Sequence, residues 1–388
     1  MSLFKKRAKT DWTLFSAIIL LTLLGLVFIY AASSYTAEKT YGNPFFFVVK
    51  QAFGAAVGLV GMFFAMKIDL NRIRKLAFPL LMVTYVLLAL VFVPGIGVEN
   101  YGARRWIGFL GQSFQPSELG KFSLVLFAAV YLSREGFEGR NILSYLPVLA
   151  AGGIICILII LEPNMSVAVC VGTITLALLF IGGFPPKAFL ALLAVAAAAV
   201  PLLIIVEPYR LLRLMAFLDP FASPREEGYQ LIQSLYALGS GGWFGVGLFN
   251  SRQKYRFLPF AESDFIFSVI GEEIGLVGAL LVLSVYAFIV CKGAKAAISA
   301  ENRFKSILAG GITLVIGVQT AINVAVVSGC IPPTGIPLPF ISSGGSSLAV
   351  FMTAAGALIN ISGESRIRSR RAGGKNRGLF GNISGNMS

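Results

Sequence analysis

The chain has 388 residues, 56% of them hydrophobic and 13% charged, with a formal net charge of +14 and no histidine. An ordinary soluble domain carries about twice that share of charge. The missing imidazole excludes His-based catalytic triads and most zinc chemistry, leaving Asp, Glu, Lys, Arg, Tyr and backbone groups for any catalysis.

Apolar runs of about 20 residues, the length that takes a helix across hydrocarbon, recur along the whole chain. They predict an all-α integral membrane protein with ten spans, at 13–32, 45–66, 76–94, 118–132, 143–161, 164–183, 187–206, 265–291, 304–328 and 343–361. The spans form a single polytopic domain, 13–361, between a basic N-terminus at 1–12 and a basic, Gly-rich tail at 362–388 expected to be disordered. The first span is too long for a signal peptide and no clear A-x-A site follows it, so it is expected to stay uncleaved. Segments on the N-terminal side of the membrane hold 21 of the 32 Lys and Arg residues, which places both termini in the cytoplasm. Only 207–264, with six, departs from the trend, and long translocated loops are exempt from the rule. The positive charge needs no nucleic acid: Lys5, Lys6, Arg7 and Lys9, then Arg366 to Arg371, read as anchors facing anionic lipid. Cys156, Cys170, Cys291 and Cys330 lack metal-like spacing and read as small packing residues.

Polar chemistry concentrates in four stretches. GARRWIGFLGQSFQPSELGKF (102–122) brings Arg104, Arg105, Glu118 and Lys121 to the outer ends of spans three and four. Glu118 and Lys121 stand at i and i+3 just after Pro116, where a helix begins, so Lys121 either binds phosphate or pairs with Glu118. The long extracellular segment 207–264, between spans seven and eight, holds LLRLMAFLD and GYQLIQSLYALGSGGWFGVGLF. Both are too short or too Gly-broken to cross, and read as interfacial helices or re-entrant segments. The segment also carries Arg210, Arg213, Arg225, Arg252, Lys254 and Arg256 among aromatic residues. That surface suits an anionic, lipid-linked ligand such as a pyrophosphate, or is an interfacial belt of snorkelling cations.

LPFAESDFIFSVIGEE (258–273) places Asp264 at the outer mouth of span eight, with Glu272 and Glu273 about two turns further in. Asp264 is either an N-cap or a general base facing a cavity. Glu272 and Glu273 are expected to be structural partners of a cation on another helix. Last, IPPTGIPLPFISSGGSSLAV (331–350) has four prolines and cannot be continuous helix. Its Ser342, Gly344 and Gly345 either cradle an anion ahead of a helix start or belong to a rigid plug.

Together ARRWI, QPSELGK, the FLDP…GYQ…GSGG…GVGL run, NSRQKY-x-x-LP, DFIF…GEE-x-G and PPTGIPLPFIS-x-GGSS, in this order across nearly the whole chain, resemble the SEDS family of membrane peptidoglycan glycosyltransferases. NSRQKY after GVGL is most like the cell-division and sporulation, FtsW-like branch. The resemblance implies polymerisation of lipid II at the outer face of the bacterial cytoplasmic membrane, with the growing strand held as nascent glycan-undecaprenyl pyrophosphate. It further implies a class B penicillin-binding protein as partner, alongside other division proteins. It assigns Asp264 as the catalytic residue and associates Arg105 and Lys121 with the same cavity. Arg104, Glu118, Arg210, Arg213, Arg252, Lys254 and Arg256 are the further candidates for the substrate side of that cavity. No cofactor is implied with certainty; a divalent cation, Mg or Mn, is compatible with the chemistry, but no carboxylate cluster in the sequence demands one. LEPNMSVA (161–168) departs from the family's QPD-like stretch and leaves Glu162 and Asn164 at a turn, and Ser343 stands where Tyr is common. A lipid II flippase and a non-catalytic division scaffold are the rival readings. The first would be favoured by discontinuous helices and an internal repeat, and no repeat partner is evident.

Overall fold

The computed structural model describes residues 10–100, 103–109 and 112–381. Lys5, Lys6, Arg7 and Lys9 lie outside the described residues, as do the side chains of Arg366 to Arg371. In chain order the helices are α1 (Trp12–Tyr41), α2 (Phe46–Lys67), α3 (Leu70–Ile73) and α4 (Ala77–Leu90). A three-stranded antiparallel meander follows, β1 (Gly97–Asn100), β2 (Ala103–Phe109) and β3 (Gln112–Phe114). Then come α5 (Pro116–Leu132), α6 (Leu146–Leu161), α7 (Met165–Ile181), α8 (Pro186–Ile205), α9 (Pro208–Leu218) and α10 (Tyr229–Gly241). The chain closes with α11 (Ile266–Ile298), α12 (Arg303–Val327) and α13 (Gly345–Gly381).

Among the described residues, 8 helices are long and apolar enough to cross a membrane, α3 running on into α4 as one of them. The other two of the ten expected positions hold 17-residue helices, α5 and α7. In place of a plain loop between spans three and four there is the β-meander. Toward the C-terminus α13 runs through Gly381, past the expected span end at 361. The described part of the tail is therefore helical rather than coil, as its Arg- and Lys-rich composition allows.

Two polar clusters hold the end of the bundle where the termini lie. Asp11 caps α1 by accepting from the Thr13 amide at 3.2 Å, and it also accepts from Ser362 Oγ of α13 at 2.7 Å, with Lys292 of α11 at 3.7 Å. Nearby, buried Lys305 of α12 bonds Glu301 and Glu364, each at 2.6 Å. Small residues set the closest helix pair, α2 with α13: a Cβ at Gly58 would lie 3.0 Å from the Ala349 backbone.

α11 is two helical legs joined at Gly275, whose φ of 68° and ψ of −173° lie in a region that glycine alone tolerates. The loop after α10 enters this break. Val246 and Gly247 amides donate to the Glu272 and Glu273 carbonyls at 2.9 and 3.0 Å, and the Leu276 and Val277 amides donate to the Gly242 and Trp243 carbonyls. The two bonds that a continuous helix would have made from Leu276 to Glu272 and from Val277 to Glu273 are thus replaced by bonds to the loop.

The break reverses the chain. Asn323 of α12 bonds the Asp264 carbonyl, while Ser234, which bonds Ser268, also bonds the carbonyl of Val327 one turn later in α12. The leg Ile266–Ile274 therefore runs with the last turn of α12. The second leg runs against α12, with Gly293 beside Thr313 and Val290 beside Gly317. The expected order of the carboxylates is corrected accordingly: Glu272 and Glu273 lie nearer the loop end of the bundle and Asp264 lies deeper. Among the described residues, their partners come from the loop before them and not from a cation on another spanning helix. Glu272 accepts from Ser251 Oγ and from the Arg252 amide, and Glu273 from the Ser251 amide, so both hold the loop.

Replacing Gly275 with Ala should therefore cost about 3 kcal/mol through backbone strain and collision. A Cβ there would meet the Trp243 carbonyl carbon at 2.6 Å. Thermal unfolding in detergent should show a clear loss for Gly275→Ala. Gly172→Ala, where an added Cβ meets nothing within 4 Å, should show none.

Candidate active site

Asp264 ends the descent of the long loop and is half-buried. Its Oδ1 accepts from Ser263 Oγ at 2.9 Å. A Cβ on Gly335 would lie 3.3 Å from its Oδ2, so the glycine keeps that side of the carboxylate unobstructed. The backbone around it is pinned by the Pro-rich 331–344 segment. Asn323 Nδ2 donates at 2.8 Å to both the Asp264 and Ile336 carbonyls. Ser342 Oγ donates to the Ser263 carbonyl at 2.6 Å and accepts from the Leu338 amide at 2.7 Å. The Ser343 amide donates to the Glu262 carbonyl at 2.8 Å. Gln319 and Tyr286 hold the Pro337 and Pro339 carbonyls, and Gln51 bonds both the Ser342 carbonyl and the Gly344 amide.

Of the two expectations for this segment, the geometry is that of a rigid plug. The polar groups of Ser342 and the Gly344 amide are spent inside the protein, and Gly345 packs on the backbone of α2 at Lys50. Gln51, Gln319 and Asn323 were not singled out from the sequence. The signal was available, since Gln319 and Asn323 are four apart in the second half of a membrane-spanning helix, where buried polar groups carry a role.

Two cations act electrostatically on Asp264. Arg105 projects from β2, and its Nη2 donates to the Pro163 carbonyl at 2.6 Å and its Nε to the Glu162 carbonyl at 3.3 Å. Arg213 comes from α9, its guanidinium 4.8 Å from the Tyr209 ring centre. Burial pushes the Asp264 carboxyl up to about 6, with the Ser263 hydrogen bond and the charges of Arg105 and Arg213 pulling the other way. Burial, then the repulsion of Arg213, lowers Arg105, against the attraction of Tyr209, Glu162 and Asp264. This is the juxtaposition that general-base chemistry beside an anion requires: a carboxylate of elevated pKa with two guanidiniums near it.

The other sequence candidates lie elsewhere. Arg104 alternates to the opposite face of β2 and pairs with Glu99 at 3.2 Å. Glu118 and Lys121 are both 1% exposed, 2.7 Å apart, with Lys121 Nζ also 2.5 Å from Gln319 Oε1 and Ser347 Oγ 3.0 Å from Glu118 Oε2. Of the two readings of Lys121, the structure has the ion pair. Arg210 donates to the Leu203 carbonyl at the end of α8. Arg256 and Tyr255 sit against the end of α1, Arg256 bonding Thr40 Oγ1 at 2.9 Å and Tyr255 packing edge-on against Tyr35, while Lys254 bonds the Phe249 carbonyl within the loop and the Arg252 amide donates to Glu272.

Residues 11–367 match a family model described as cell cycle protein, FtsW/RodA/SpoVE. The chain is 39% identical over 345 residues to a probable peptidoglycan glycosyltransferase FtsW of Geobacter sp. (strain M18), covering 89% of this chain and 94% of the relative. It is 37% identical over 366 residues to stage V sporulation protein E of Bacillus subtilis (strain 168), covering 93% and 99%. Among solved structures it resembles the rod shape determining protein RodA of Thermus thermophilus, with a TM-score of 0.67 at 26% identity over 91% of this chain and 96% of that one. It also resembles a chain from a study of structural coordination of polymerization and crosslinking by a peptidoglycan synthase complex, with a TM-score of 0.76 at 27% identity, covering 92% and 98%.

Proposed function

This chain is a member of the FtsW/RodA/SpoVE family of cell cycle proteins, and on that premise we propose that it polymerises lipid II into β-1,4 glycan at the outer face of the bacterial cytoplasmic membrane, in the service of cell division. The observation that carries the mechanism is that Asp264, its backbone pinned by a Pro-rich wall, lies within the electrostatic influence of Arg105 and Arg213. Asp264 takes the proton from the 4-hydroxyl of the acceptor's GlcNAc. The freed oxygen attacks the anomeric carbon of the donor's terminal MurNAc, and the bond to undecaprenyl pyrophosphate breaks from the opposite face, so the α-linkage becomes β. Pyrophosphate leaves without needing a second carboxylate acid. What it needs is charge stabilisation in a partly dry site, which Arg105 and Arg213 supply.

In this reading ten helices cross the membrane, both termini are cytoplasmic and the loop end of the bundle faces outward. A class B penicillin-binding protein cross-links the product, in company with other division proteins. The break at Gly275 and the Pro-rich segment before α13 are two discontinuities of the kind that transporters use, and they favour lipid II flipping as the second reading.

One experiment separates the two. The protein, purified with its transpeptidase partner, is given lipid II with Mg, Mn or chelator, and the products are run as glycan ladders. Ladders support polymerisation; none in any condition, with lipid II appearing across vesicle bilayers, supports transport. The pH profile is a further check. A base must be ionised to act, so kcat/KM should fall tenfold per pH unit below the Asp264 value of about 6. A rate unchanged down to pH 5 would remove Asp264 from that role.

A further inference from the structure

Glu162 is fully buried in the turn between α6 and α7, and neither oxygen of its carboxyl group has a hydrogen-bond partner among the described residues. Buried carboxylates are normally paired, so an orphan of this kind calls for an explanation. The main chain at this turn is not idle: the carbonyls of Glu162 and Pro163 receive the Arg105 guanidinium. Asn164 then starts α7, its side chain accepting from the Val167 amide at 3.4 Å. The turn thus holds Arg105 by its backbone while keeping an unsatisfied acid beside it.

We infer that Glu162 is a positioning residue for the leaving-group side of the site: uncharged, it leaves the Arg105 guanidinium available to a lipid-linked pyrophosphate, and ionised, it draws that guanidinium to itself. The inference rests on reading the site as one that holds such a pyrophosphate. The charged and titratable groups around the pair are few. Arg105 faces Glu162 from β2; Arg213 and Tyr209 face Arg105 from α9, and Asp264 faces it from the end of the long loop. Glu118 and Lys121 act on α7 further along, at Cys170. Burial raises the Glu162 carboxyl to about 8 against the pull of Arg105, so the switch falls in the mildly alkaline range. The sign follows: an acid whose pKa is raised is neutral below that value, so at neutral pH the Glu162 carboxyl does not compete for the charge of Arg105, and above it the carboxylate does.

The test uses the full chain in phosphatidylcholine nanodiscs, with binding of undecaprenyl pyrophosphate measured at pH 7 and pH 9. An arm with inorganic pyrophosphate separates recognition of the phosphates from recognition of the lipid. Wild type should bind about tenfold more weakly at pH 9, the effect of one added charge near a partly buried cation. Glu162→Gln, and Glu162→Leu as a second neutral substitute, should bind alike at the two pH values, and Arg105→Gln weakly at both. A wild type indifferent to pH, or neutral variants that lose affinity as it does, would overturn the inference. Lipid II supplied to the same preparations judges the polymerase reading separately. Absence of polymer from wild type counts against that reading, while the binding arm still decides the role of Glu162.

Discussion

Asp264→Asn should abolish glycan polymerisation while making the protein harder to unfold. Loss of a positioned general base costs about 10²–10⁴ in rate. The amide keeps the shape of the side chain and its contact with Ser263, so insertion and folding should be intact. The stability gain comes from linkage. The folded-state pKa, about 6, lies above the ordinary aspartate value of 3.8, so the folded state binds the proton more tightly and loses stability as pH rises through that window. At pH 7 the carboxylate is held ionised at a cost that Asn does not incur, up to about 2 kcal/mol for a group with this much exposure. A higher melting temperature together with absent ladders is the expected pair of results. Normal ladders from the variant would rule out Asp264 as the base, and a lowered melting temperature would make its role structural.

The largest stability effect should come from the buried pair in α5. Lys121→Met leaves the Glu118 carboxylate with Ser347 as its only hydrogen-bond partner among the described residues, and stranding a buried charge costs about 3–5 kcal/mol. The double variant Glu118→Gln/Lys121→Met removes both charges and should recover most of that loss, because exchanging a buried pair for neutral residues is often close to neutral. The same two variants distinguish the readings of Lys121 left open by its sequence. A phosphate ligand would lose lipid II affinity on substitution, with an unchanged melting temperature and no rescue by the second change. Thermal unfolding in detergent, with lipid II binding alongside, reads both.

The sequence by itself determined the solvent in which this protein folds, the approximate positions of its helices and its family. Those follow from long apolar runs and from short motifs whose order survives in one dimension. It also determined that Asp264 belongs with cations and a Pro-rich segment. Tertiary structure decided which cations. Arg105 and Arg213 act on the charge of Asp264 from a strand and a helix more than 100 residues apart, whereas Arg256, fewer than ten residues before it, bonds Thr40 of α1. Proximity along the chain carries no such information, because side-chain direction depends on strand alternation and on where a loop is anchored.

Depth, too, was out of reach of the sequence. The apolar run 265–291 reads as one span, and periodicity cannot show that Gly275 reverses it, because the bonds that permit the reversal come from residues 242–247. A helix can break in an apolar setting only where other groups satisfy its free amides and carbonyls. Those groups are supplied by the fold, and they place Asp264 below Glu272 rather than above it.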